Sequence, residues 1–415
     1  MARILITTFG SLGDLYPYLT VGMELQRRGH AVTIASSAAH LAKVEAEHLA
    51  FYPVRPDVQL DNRELMSYVM DARHGSERVV RYFAELVRES YEDTLQAGRH
   101  ADAILTHPIT FGSVLVAQKL DLPWISTVLA PISLLSAYDP PVSAQAPWMH
   151  GLRVFGRGFM KRLWDWGRRR TLAWVKPVLE LRQELGLGTG EHPLFEGSHS
   201  PSLVLALFSR QLADPQPDWP PNSVATGFPF YDRGELTPEL QQFLAEGPAP
   251  VVFTLGSSAV GAAGSFYVQS LAAVMRVGCR AVFLTGSHPQ GLPEELPAGV
   301  ITAAYAPHGA IFPRAAAIVH QGGIGTTAQA MRSGRPALVM PFAHDQFDNA
   351  ERARRRGAAE VVYRSRYNSR RVARALRRLL QEPSYARSAA ELSQQVKAEA
   401  GADSAASAIE RKILR

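Results

Sequence analysis

HQGGIGTTAQAMRSGRPALVMPFAHDQFDN, residues 320–349, sets the architecture of this chain. The apolar run Ala316 to Val319 just ahead of it reads as a buried strand, and Gly322, Gly323 and Gly325 form a turn where backbone can approach a ligand. Thr326 to Ser333 then reads as a helix stopped by Gly334, and Ala337 to Pro341 as the next strand. His344, Asp345 and Gln346 follow at its carboxyl end. Strand, helix and strand in this order make a parallel crossover, and open α/β sheets hold ligands outside the carboxyl ends of such strands. The amides at the helix start are unpaired and carry roughly half a positive charge, so a diphosphate can be held there without a metal ion.

The same alternation runs through the rest of the chain. Ile4 to Thr8, a helix from about Tyr18 to Arg28 with Gly29 as its stop, and Ala31 to Ser36 make a first unit; Ala103 to Thr106 and Trp124 to Val128 flank a helix from about Gly112 to Leu120. After Leu203 to Leu207 comes a proline-rich passage, 215–230, with Pro217, Pro220, Pro221 and Pro229. Beyond it five further apolar runs, beginning with Val251 to Thr254, predict a second doubly wound sheet. The expected division is an N-terminal Rossmann-like domain over 1–214, a linker over 215–234, a C-terminal Rossmann-like domain over 235–388, and a terminal helical segment over 389–415. A chain of 415 residues is too long for one ordinary core, which agrees with two domains.

Composition narrows the class. A single cysteine, Cys279, excludes an internal disulfide and suits a reducing cytoplasm. MARILITTFG reads as a first strand and not as a signal peptide, and no apolar run reaches the roughly 20 residues of a membrane span. The formal net charge is +6, yet between Gly151 and Lys176 eight basic residues face the single acid Asp165. Leu152, Phe155, Phe159, Leu163 and Trp166 recur at helical spacing there. Such a helix, over 152–170, suits an anionic membrane surface or an amphiphilic acceptor; it equally suits an amphipathic helix docked on its own domain with a solvated basic back. No nucleic-acid motif accompanies the charge, so a nucleic-acid partner is not expected.

The second informative loop is GSLGDLYP, Gly10 to Pro17, which leaves the first buried strand. Gly10, Ser11 and Gly13 bring backbone to the rim of the sheet, and Asp14 is a lone carboxylate just before a helix. A carboxylate so placed is a candidate general base; it is also what an N-cap looks like. The spacing lacks the GxGxxG pattern of dinucleotide sites. A third loop, Gly256-Ser257-Ser258, ends a strand and reads as a turn or as a phosphate contact. There is no Asp-x-Asp triplet, so neither a metal nor another cofactor is expected.

The order of His320, glycine-rich turn, Pro341 and Asp345-Gln346 resembles the donor signature of family 1 glycosyltransferases of the GT-B fold, two Rossmann-like domains facing an interdomain cleft. The resemblance implies donor-phosphate contacts from Ser257, Ser258, His320, Gly322, Gly323, Gly325, Thr326 and Thr327, and sugar contacts from Asp345 and Gln346. It implies a stacking role on the base for Tyr305, with Ala306 and His308 beside the base or ribose, and it places Asp14 at the position of the catalytic base. Where many UDP-glucose members carry a Glu for the ribose hydroxyls, this chain has Ala328, which favours a dTDP-sugar. Stretches such as WISTVLAPISLLSAYDPP and PFAHDQFDNAERARRRG are further similar to the rhamnosyltransferases of rhamnolipid synthesis. The expectation is therefore an inverting, metal-independent transfer of rhamnose or glucose from a dTDP- or UDP-sugar to a small hydrophobic acceptor, a hydroxyalkanoyl lipid or a polyphenol-like compound. His107, Trp148 and Phe155 are its candidate acceptor residues. A nucleotide-sugar epimerase and a non-catalytic binding protein are the alternatives. The expected location is the cytoplasm, with a possible peripheral contact at the inner membrane face.

Overall fold

A computed structural model describes residues 1–58, 63–287 and 291–414. The chain forms two compact units: Met1–Leu60, His74–Tyr231 and Glu399–Arg415 make the first, and Asp61–Arg73 with Asp232–Ala398 the second.

The first unit is built on seven strands: β1 (Arg3–Thr7), β2 (Ala31–Ser36), β3 (Ala50–Pro53), β4 (Ala103–Thr106), β5 (Trp124–Val128), β6 (Leu203–Ala206) and β7 (Ser223–Ala225). They are all parallel, in the order β3-β2-β1-β4-β5-β6-β7. Helices cover both faces, which is why the AILT of β4 and the WISTV of β5 are buried throughout. The proline-rich passage expected as a linker carries β7, and the boundary between the units falls between Tyr231 and Asp232. The last helix, Gly401–Lys412, belongs to this unit and packs on the helix Leu12–Arg27. Arg28 joins the two, bonding Glu24 at 2.7 Å, Asp403 at 2.6 Å and Glu410 at 2.6 Å.

The second unit has six parallel strands: β8 (Val251–Thr254), β9 (Ala281–Leu284), β10 (Val300–Ala303), β11 (Ala317–His320), β12 (Ala337–Val339) and β13 (Ala359–Val361). Their order is β10-β9-β8-β11-β12-β13. Phe253, Phe266, Phe283 and Tyr267 fill its main core, joined by Val372, Leu376 and Leu379 from the amphipathic helix Ser369–Gln381. Met70, from the segment between β3 and β4, packs into this same core. The expectation of two doubly wound Rossmann-like sheets is met.

In each sheet the winding reverses at one place. For the first it lies between β1 and β4, and for the second between β8 and β11. Loops leaving adjacent strands at such a switch point diverge and open a crevice at the carboxyl edge. Asp14 and His107 lie just past the carboxyl ends of the strands that flank the first switch point, and Ser257 and His320 lie at the carboxyl ends of those that flank the second.

Candidate functional site

In the first unit the helix Leu12–Arg27 starts six residues earlier than its expected start at Tyr18 and continues through Pro17. A capping box is the cause: Ser11 caps the helix start and the Asp14 carboxylate returns to the Ser11 amide. Asp14 therefore lies inside the first turn and not ahead of it. Its Oδ2 accepts from the Ser11 N–H at 2.8 Å and from the Ser11 hydroxyl at 2.9 Å. Gly10 permits this fold-back, since its φ is +112° and a Cβ there would stand 2.5 Å from Asp14 Oδ2.

The other carboxylate oxygen faces a histidine. Nε2 of His107 lies 3.6 Å from Asp14 Oδ1, and His107 is buried while a third of the Asp14 side chain (33%) is open to solvent. The Ile109 N–H donates to Nδ1 of His107 at 3.3 Å, which leaves the imidazole proton on Nε2, toward Asp14. The Tyr18 ring lies 5.8 Å from the imidazole, and its hydroxyl is tied to Thr127. Burial pushes the Asp14 carboxyl upward, but the neighbouring His107 imidazole and the two Ser11 donors outweigh it, and the net shift is downward. Asp14 is thus ionised at neutral pH and partly exposed.

A second histidine belongs to this neighbourhood. His40 is buried, and its Nδ1 lies 2.9 Å from Ser36 Oγ, whose own proton goes to the Thr8 carbonyl. Burial lowers the pKa of His40 against the opposing charge of Asp14. The sequence offered His107 as an acceptor residue and did not pair it with Asp14. The signal that could have found the pair is topological: β4 lies beside β1, so the residue after β4 meets the loop after β1.

In the second unit His320 is the last residue of β11, and the helix Ile324–Ser333 begins two residues earlier than expected. The Gly322 N–H donates to Nδ1 of His320 at 3.1 Å, which places the imidazole proton on Nε2. Burial, with a smaller push from His308, lowers the His320 pKa to about 3, so it is neutral and a donor at any working pH. Gly322 has φ +90°, and a Cβ there would meet the Gln346 carbonyl at 2.9 Å. Gly323 caps the helix and Gly325, Thr326 and Thr327 lie in its first turn. Side-chain oxygens of Thr327 and Gln321 are buried without a partner, which leaves hydrogen-bonding capacity unspent beside this turn. The loop after β8 comes to the same place: a Cβ on Gly256 would stand within 3.4 Å of Thr326 Oγ1, and Ser257 and Ser258 follow.

Asp345 Oδ2 accepts from the Asn349 side chain at 2.6 Å. Gln346 is buried, and its Oε1 accepts from the Phe342 and Ala343 amides at 2.9 and 3.3 Å, so that oxygen is engaged in shaping the loop. Tyr305 is 53% exposed and is not packed in the core, which leaves its ring free as a platform. Ala306 is buried beneath it, and His308 stacks on Phe312 at 4.4 Å, with burial lowering its pKa to about 4. The structure does not bring Trp148 or Phe155 to His107: they are 71% and 67% exposed on the segment Pro147–Phe155. Pro108 and Thr110, neighbours of His107, instead line a cavity of about 590 Å³ with Phe111, Leu134, Trp124 and Trp219. Among the described residues no group of three or more His, Cys, Asp or Glu side chains is arranged to hold a metal ion.

Comparison with known proteins shows the family and the fold. Residues 4–137 match the glycosyltransferase family 28 N-terminal domain, and residues 269–411 match the erythromycin biosynthesis protein CIII-like C-terminal domain. The chain is 30% identical over 422 residues to O-mycaminosyltylonolide 6-deoxyallosyltransferase of Streptomyces fradiae, across 98% of this chain and 97% of that one. It is 25% identical to a sterol 3-beta-glucosyltransferase of Yarrowia lipolytica, across 98% of this chain but only 28% of that longer protein. Its fold is similar to that of the glycosyltransferase VinC in complex with DTDP (TM-score 0.71, 21% identity, all of both chains). It is also similar to the spinosyn rhamnosyltransferase SpnG (TM-score 0.70, 18% identity, all of both chains).

Proposed function

Because this chain belongs to the glycosyltransferase family of O-mycaminosyltylonolide 6-deoxyallosyltransferase, we propose that it moves a hexose from a dTDP- or UDP-sugar to the hydroxyl of a hydrophobic acceptor, with inversion and without a metal ion. The observation that carries this reading is Asp14, an ionised and partly exposed carboxylate at a sheet switch point, held from one side by Ser11 and from the other by His107.

The chemistry follows from those groups. Asp14 takes the proton of the acceptor hydroxyl while the acceptor's oxygen bonds to the anomeric carbon and the bond from that carbon to the diphosphate oxygen breaks. A weak base suffices, because the hydroxyl becomes strongly acidic only as the new bond forms. Charge grows on the departing diphosphate, and donors fixed in advance stabilise it. These are Nε2–H of His320, the amides at the start of the helix Ile324–Ser333, and the hydroxyls of Thr326, Thr327, Ser257 and Ser258. Tyr305 stacks on the base, beside Ala306 and His308, and Asp345 with the amide end of Gln346 meets the sugar hydroxyls.

Ala328 leaves a ribose 2′-hydroxyl without a carboxylate partner, which favours a dTDP donor. The name of the Streptomyces fradiae relative, a transfer of 6-deoxyallose, supports a deoxyhexose such as rhamnose over glucose. For the acceptor, the relatives' names have a macrolide and a sterol, both bulky apolar alcohols, and about half of the residues lining the cavity near His107 are apolar, with Arg168, Arg182 and Asp218 among the rest. A hydroxyalkanoyl lipid or a polyphenol shares that character.

Incubation with dTDP-L-rhamnose, dTDP-glucose and UDP-glucose, with and without macrolide, hydroxy-fatty and phenolic acceptors, tests the reading by mass. Glycoside formed from a dTDP-sugar only when acceptor is present is the expected result. An altered sugar nucleotide without acceptor would make the protein an epimerase, and no product with tight donor binding would make it a binding protein.

A further inference from the structure

The segment over 147–171 presents an outward face that the proposed chemistry does not use. Met160 and Trp164 of the helix Arg157–Thr171 are buried with Ala137 and, at their edge, Leu135, Leu152 and Leu163, so one side of this helix is anchored and the other is fixed outward. Phe159 and Trp166 lie two turns apart on the outward side, 41% and 48% exposed. Phe155, at the end of the preceding turn, packs against Phe159 at a ring distance of 5.3 Å and extends the apolar strip.

Cations flank that strip on the same side. Arg162 is three residues after Phe159 and four before Trp166, and Arg169 is three after Trp166. Arg170 lies over the Trp166 ring at 5.0 Å. Lys161, Arg162, Arg169 and Arg170 are exposed, and among the described residues no carboxylate pairs with them. The acid of this helix, Asp165, is already bonded to Arg168 at 3.3 Å.

We propose that this face binds the surface of a bilayer containing anionic phospholipid, with Phe155, Phe159 and Trp166 entering the headgroup region and Arg162, Arg169 and Arg170 meeting phosphates. A helix lying in the interface combines an aromatic strip with cations of one sign in this way. Charge complementarity selects the occupant: an anionic bilayer neutralises unpaired cations wherever they lie, whereas a protein partner must supply a carboxylate at each one. The proposal stands independently of which sugar or acceptor the enzyme uses.

Co-sedimentation of the full chain with vesicles tests it. Vesicles of phosphatidylcholine alone and of phosphatidylcholine with one-third phosphatidylglycerol are compared at about 0.1 M salt and at several times that concentration, where charge is screened. Binding to the anionic vesicles only, weakened by salt and accompanied by a blue shift of tryptophan emission, is the expected result. Arg162→Glu/Arg169→Glu/Arg170→Glu should lower that partitioning by about a hundredfold or more, at roughly fivefold for each cation. Phe159→Ser/Trp166→Ser should abolish the blue shift and weaken binding while the cations remain. These side chains are exposed, so circular dichroism and melting temperature should be unchanged. No vesicle binding, equal binding to neutral vesicles, or self-association of the chain that the same variants abolish in place of vesicle binding would overturn the proposal.

Discussion

His107 shows what a residue can do through its neighbour. Its Nδ1 is occupied by the Ile109 amide, so its remaining proton faces Asp14. We expect His107→Phe to lose this hold and let the Asp14 carboxyl rise. Asp14 is the lowered group and is active when ionised, so activity is present above its pKa and lost as pH falls through it; raising that pKa moves the acid limb of kcat/KM to higher pH. His107→Gln, which keeps an N–H donor in place of the imidazole, should recover part of the rate with an intermediate limb. An unmoved acid limb in both variants would reduce His107 to packing. Asp14 was legible in the sequence as a lone carboxylate after a glycine-rich strand end. Its partner was not, because 93 residues separate them and only the pairing of β1 with β4 brings them together.

At the scale of elements, the order of strand, glycine turn and helix from β11 to Ser333 was readable, although the helix begins two residues earlier than expected. What the string could not carry was the engagement of individual atoms. Gln346 was read as a sugar ligand, yet its Oε1 holds two loop amides. Gly322 ties these features together: at φ +90° an alanine costs roughly 1–2 kcal/mol, and its Cβ would press on the Gln346 carbonyl 2.9 Å away. We expect Gly322→Ala to weaken donor binding at least about tenfold, as the loop shifts and the His320 proton loses its aim, with Asp14-dependent chemistry on bound donor less affected. Titration calorimetry with dTDP checks this; unchanged affinity would place the diphosphate elsewhere. The helix Leu12–Arg27 starts earlier than expected because Ser11 and Asp14 form a capping box ahead of Pro17.

For the molecule as a whole, length and the twofold alternation of strands and helices were enough to anticipate two Rossmann-like sheets. Two segments escaped that reading for one reason: amphipathic spacing says that a helix covers something apolar, but not which sheet. The helix Arg63–Val69 and Met70 join the second unit although they lie between strands of the first, and the helix Gly401–Lys412 belongs to the first unit although it follows the last strand of the second. In the proposed function the first unit supplies a base, Asp14, and the second a diphosphate site around His320. The measurement that tests this division most directly is the rate of glycoside formation by Asp14→Asn at saturating donor, with donor affinity determined on the same sample. The account predicts a fall of about 10²–10⁴-fold in rate with donor affinity unchanged. A rate within a few-fold of the original, or a rate loss matched by a loss of donor affinity, would contradict it.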